Sequence, residues 1–197
     1  MSTEEPADDL LDGPFRLLQP LLTAAIPVAV GQLKLTDPIF CIRLYYHDTN
    51  APSEDYCTWV RVLTEPLRQQ VLATKRPVDV PFYLWHSQSG NANGSPGRDI
   101  GLFEADLRTH RGIMQRYEEV YEMVESEDGM NRLRELLRQV SRTLNARDWS
   151  KIAKVTDDFV VFPADGSGYY GGSHSEDMAE SISPQKLELL RQRQLLR

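Results

Sequence analysis

The segment Ser87-Gln88-Ser89-Gly90-Asn91-Ala92-Asn93-Gly94-Ser95-Pro96-Gly97-Arg98 is the first place where this chain could meet a ligand through its backbone. Glycines let a loop turn several amide N–H groups toward one anion, and a neighbouring cation adds charge, which is what a phosphate needs. The lysine and following hydroxyl of a P-loop are missing, and the glycine spacing is not that of a dinucleotide fingerprint. Gly90, Gly94 and Arg98 are therefore candidate ligand-binding positions, set against the simpler role of a long polar connection.

A second group is acidic. Asp157, Asp158 and Asp165 flank an apolar run, and a glycine-rich stretch leads from Gly166 to His174. Carboxylates at a strand end can hold a cation, but this spacing departs from an EF-hand loop and a lone histidine cannot define a zinc site. No metal is expected, and turns and caps account for the acids. Asp165 could still close a composite site for a phosphorylated small molecule with the loop at 87–98. His47, His86, His110 and His174 are scattered, and Ser87 and Cys57 lack the surroundings of a nucleophile. No catalytic residue is assigned and no cofactor is expected.

The third group is aromatic and cationic. Tyr45, Tyr46, Tyr56, Trp59, Tyr83 and Trp85 concentrate near Arg43 and Arg61, and aromatic and arginine side chains dominate binding energy at protein interfaces. Arg43, Trp59 and Arg61 are the candidate protein-interface residues.

These groups need elements to position them. Phe15, Leu18, Leu22, Ile26 and Ala29 recur at helical spacing, and Pro20 and Pro27 predict a broken or kinked helix. Residues 39–46 and 56–64 read as a β-hairpin. Placing Tyr46 opposite Tyr56 sets Leu44 against Thr58, Ile42 against Val60 and Phe40 against Val62. Phe40, Ile42, Leu44, Val60 and Val62 then share one dry face, and Cys41, Arg43, Trp59 and Arg61 share a half-exposed one. In that register Cys41 and Cys57 lie ~14 Å apart along the ladder, beyond the ~7 Å a disulfide spans. Glu65–Thr74 reads as a helix, and Val80–Trp85 as a third strand that Pro81 confines to an edge. Two amphipathic helices follow, over about Asp99–Ser126 and Asp128–Ala146; the second carries Met130, Leu133, Leu136, Leu137, Val140 and Leu144 on one stripe. Phe159–Phe162 predicts a buried strand, and Ser183-Pro184 opens a last helix bearing Leu187, Leu190 and Leu195.

The fold class expected is α+β: an antiparallel sheet of about four strands, at 39–46, 56–64, near 80–85 and near 158–162, covered mainly on one side by helices. Residues 1–13 read as a flexible acidic tail and 14–197 as a single domain. The chain has 197 residues of which 41% are hydrophobic, enough for a core that needs no staples. Its net charge of −7 repels polyphosphates at large, so no nucleic acid partner is expected. The most apolar stretch, Leu21–Leu33, is shorter than the ~20 residues that cross a bilayer, and no basic run precedes it as in a signal peptide. No membrane association and a cytoplasmic location follow as expectations.

The order of a helix, a hairpin ending in Tyr45-Tyr46-His47-Asp48, the segment Phe82-Tyr83-Leu84-Trp85, two long helices and a late Phe159-Val160-Val161-Phe162-Pro163-Ala164-Asp165 strand resembles a family of uncharacterised bacterial proteins of immunity-protein-like character. The resemblance spans roughly 21–190 and departs at the glycine-rich loop after Trp85. It implies an immunity-type or regulatory binding role and supplies no catalytic residues. The function expected is a non-enzymatic protein-binding module, with an enzyme acting on a phosphorylated small molecule or nucleotide as the alternative.

Overall fold

The computed structural model describes residues 13–46, 59–85, 98–101, 127–165 and 174–196. Its elements in chain order are α1 (Gly13–Gln32), β1 (Ile39–Tyr46), β2 (Trp59–Thr64), α2 (Glu65–Thr74), α3 (Val80–Trp85), β3 (Arg98–Gly101), α4 (Glu127–Asn145), β4 (Val155–Asp165), α5 (His174–Ser181) and α6 (Pro184–Gln192). The strands form one sheet in the order β3-β2-β1-β4, with β1 antiparallel to β2 and parallel to β4.

Three of the four expected strands are found, and the sheet is mixed rather than antiparallel. The parallel pair has a physical signature in its composition: Ile39–Ile42 and Phe159–Phe162 are continuous apolar runs, as strands buried on both faces require. All eight residues of β1 are buried. The expected strand at 80–85 is instead helix α3. Val80, Leu84 and Trp85 are buried while Phe82 and Tyr83 are exposed, a spacing that suits one helical turn and not an alternating strand. Tyr83 N–H donates to the Asp79 carbonyl at 3.1 Å, and Pro81 sits in the first turn where its missing donor costs nothing. The fourth strand is the short β3, at the point where Asp99 was expected to open a helix. The remainder of the helix expected over about Asp99–Ser126 lies outside the described residues.

The pairing of β1 with β2 sets Ile42 opposite Val62 and Leu44 opposite Val60, two residues from the expected register. A two-residue slip preserves which face each side chain takes. Ile42, Leu44, Val60 and Val62 therefore do share one dry face, packed with α1 and α4. Phe40 does not. A bulge between Ile39 and Cys41 turns Phe40 onto the opposite face, where it packs with Cys41, Tyr45, Leu63 and Phe162 beneath α2, α3, α5 and α6. Helices thus cover both faces of the sheet, not mainly one.

Helix α1 runs unbroken through both prolines, with Pro20 exposed and Pro27 buried. Helix α4 follows its expected stripe: Leu133, Leu136, Leu137, Val140 and Leu144 are buried. Its last residue, Asn145, donates to the carbonyls of Val161 (2.7 Å) and Ser181 (2.8 Å) and accepts from Val161 N–H (2.8 Å). One amide therefore satisfies the outer edge of β4 and ties in α5. Ser183 accepts the Lys186 N–H to cap α6, as the Ser-Pro pair implied.

Asp177 on α5 is wholly buried and accepts from Arg134 Nε (2.6 Å), Arg138 Nε (2.9 Å) and the Tyr46 hydroxyl (3.1 Å). This clamp joins α4, α5 and β1. Replacing Asp177 with Asn takes the buried charge from two arginines and leaves them only the longer contacts to Glu176 and Glu135, and we expect a loss of about 3 kcal/mol in chemical denaturation. Glu176 is 62% exposed in its side chain, and Glu176→Gln should cost under about 1 kcal/mol.

Candidate functional site

The structure separates the residues that the sequence offered as a site. Arg43 is fully buried, so the face expected to meet a partner is closed over it. Its guanidinium donates from Nη1 to the Tyr45 hydroxyl at 3.2 Å and from Nη2 to the Leu84 carbonyl of α3. The arginine read as an interface residue thus fastens α3 to the sheet. Arg61 is half-buried, its Cα paired with those of Arg43 and Asp99. Trp59 pairs with Gly101 through the backbone, and its side chain lies outside the described residues, as do Gly90 and Gly94.

Asp165 is buried at the end of β4. Arg98 belongs to β3 at the other edge of the sheet, in register with Val62, Ile42 and Val161. Three strand spacings, roughly 14 Å, and four residues along the strand, roughly 13 Å, part the two backbones. The backbone does not unite them in one composite site. Among the described residues, no three His, Cys, Asp or Glu side chains gather as metal ligands.

The acids at the start of β4 hold structure together. Asp158 is buried, and burial opposes its charge, yet hydrogen bonds from Thr156, Arg68 and Arg193 outweigh that and hold its carboxyl below the usual range. The distances are 2.6 Å from Thr156 Oγ1, 2.8 Å from Arg68 Nη1 and 2.8 Å from Arg193 Nη1. Arg193 also grips exposed Asp157 at 2.5 Å and brings its pKa down to about 2. Together they attach α2 and the end of α6 to β4. Cys41 is a free thiol, buried on the α3 side, and burial pushes its pKa up to about 12.

What the fold leaves on the surface is a corner at α2 and α3. Phe82 is 57% exposed and Tyr83 38%, and their rings meet edge to face at 5.5 Å. The Lys75 ammonium lies 4.1 Å over the Tyr83 ring. Val78 and Leu72 are also exposed nearby in sequence, and Arg76 pairs with Asp79 at 2.7 Å. Under this corner, Val80, Leu84 and Trp85 plug the core; the Trp85 ring sits between Phe40 (6.0 Å) and Phe162 (6.1 Å), and its N–H donates to the Leu195 carbonyl. Short helix α3 is anchored by one side and displays two aromatics on the other. Sequence reasoning placed Tyr83 on a sheet and passed over Phe82, although the Val80, Leu84, Trp85 spacing carried the helical signal.

No protein-family model, curated protein or solved structure matches the chain. Among the described residues, no helix is long and apolar enough to cross a membrane.

The depressed Asp157 pKa sets a pH window. Its stabilising effect is complete above the ordinary value of about 3.9 and is lost as pH falls through the folded value of about 2. Urea midpoints for wild type and Arg193→Gln should converge as pH drops through that window; a gap that stays constant contradicts the assignment. In a Cys57→Ser background, native Cys41 should resist thiol reagents and react only on unfolding, which a timed labelling experiment reads directly.

Proposed function

We propose that the chain is a non-enzymatic protein-binding module of immunity or regulatory type, recognising its partner through the α2–α3 corner. The observation that carries this reading is the exposed Phe82–Tyr83 pair with Lys75 stacked on Tyr83. Two large rings that are 57% and 38% exposed, on a helix already anchored from beneath, provide apolar area that association can bury. Their attachment through Leu84 and Trp85 limits the ordering cost of binding. Lys75 places positive charge at the margin of the rings, in a chain of net charge −7. A partner with an apolar patch bordered by acids fits that surface.

The double variant Phe82→Ser/Tyr83→Ser changes exposed groups and should melt close to wild type. Tagged wild type and variant should be compared by quantitative affinity purification from the native cell. The reading expects a protein that wild type enriches and the variant loses by at least about tenfold, the scale of an aromatic hot spot. Equal recovery on both proteins, or no enriched protein on wild type, contradicts it.

A further inference from the structure

Six arginines of the described residues are committed to carboxylates: Arg68, Arg76, Arg134, Arg138, Arg142 and Arg193 each lie in an ion pair. A different situation holds at the far end of α4. A cleft of about 540 Å³ opens between Asn145, the 147–154 connection, the first half of β4 and Lys186 of α6. Arg147, Lys154 and Lys186 line it, against the single acid Asp148.

Asp148 offsets one of these charges but forms no ion pair with them, its carboxylate accepting from the Ser150 N–H at 2.9 Å within its own turn. Lys186 donates to the backbone carbonyl of Asp157 at 2.5 Å and feels the charge of that residue's carboxylate, which lies outside the cleft lining and is gripped by Arg193. Among the described residues, no carboxylate comes within ion-pair distance of Arg147, Lys154 or Lys186. In a chain of net charge −7, three cations against one acid in a concavity concentrate positive potential where the walls focus it. The floor is firm: buried Trp149 packs edge to face on Phe159 at 5.3 Å, and its N–H donates to the Leu144 carbonyl at 2.9 Å.

We propose that this cleft binds a small molecule carrying two or more phosphate groups. One guanidinium and two ammonium groups match phosphate oxygens by fork and by point charge respectively. Three cations spread over two separate segments are better answered by several linked anionic groups than by one. The volume falls within the ~300–1,000 Å³ common to small-molecule sites. None of these residues belongs to the α2–α3 corner, so the two proposals stand or fall separately.

Isothermal titration of the full chain with inorganic pyrophosphate and with a nucleoside triphosphate tests this, using Lys154→Met/Lys186→Met and, as an outside control, Lys34→Met. The expected result is saturable one-site binding that weakens with added salt, is at least about tenfold weaker in the double variant and is unchanged in Lys34→Met. If the double variant does not fold, Arg147→Met carries the same expectation. No saturable binding by wild type, or equal affinity in the cleft variants, overturns the proposal. So does citrate binding as tightly as pyrophosphate, which would make the site one for polycarboxylates, or duplex DNA binding more tightly than either phosphate compound.

Discussion

Because Ile39–Tyr46 is hydrogen-bonded along both edges and covered on both faces, the rest of the molecule takes its bearings from that strand. A strand in that position cannot alternate polar and apolar residues, since neither face meets water. Its one extra residue then decides which layer each side chain serves. The bulge between Ile39 and Cys41 turns two consecutive residues, Phe40 and Cys41, to the same side. Phe40 becomes the ring on which Trp85 rests, so helix α3 and the surface it displays depend on that local irregularity.

Burying β1 on both faces carries an electrostatic obligation, because Arg43 lies at its centre. Tyr45 and the Leu84 carbonyl accept from it, the latter drawn from α3. A buried guanidinium is costly unless its donors are met, so α3 is held by polar demand as well as by the apolar plug of Leu84 and Trp85. Asp158 and Asp177 play corresponding parts at two other junctions, Asp158 tying helices to the sheet through Arg68 and Arg193, Asp177 joining two helices through Arg134 and Arg138 and the sheet through Tyr46. The aromatic corner is therefore firmly mounted, and the cleft beside Trp149 differs in that, among the described residues, no carboxylate forms an ion pair with its cations.

Much of the fold could be read from residue patterns. The stripe of α4, the Ser-Pro start of α6, the Glu-Pro start of α2 and the apolar pairing of Ile42 and Leu44 with Val60 and Val62 all follow from local periodicity. Two of the failures share a cause: burial on two sides. A strand covered on both faces loses its alternation, so the parallel partnership of β1 with β4 left only the continuous runs Ile39–Ile42 and Phe159–Phe162 as a trace. Arg43 resembled a surface residue because charge usually is one, and only tertiary contacts reveal its burial. Val80–Trp85 alternates well enough to pass for a strand, yet its buried set is Val80, Leu84 and Trp85. The candidate site shifted accordingly, from Arg43 on the sheet to Phe82 and Tyr83 above it.

Amide hydrogen exchange resolved to single residues probes the doubly covered strand most directly. Ile42, Arg43 and Leu44 should exchange among the slowest sites in the protein, together with Val160, Val161 and Phe162, at rates set by global unfolding. Exchange of the 42–44 amides as fast as those of the edge strand at 98–101 would mean that β1 is not the buried centre of the sheet, and the layering built on it would not stand.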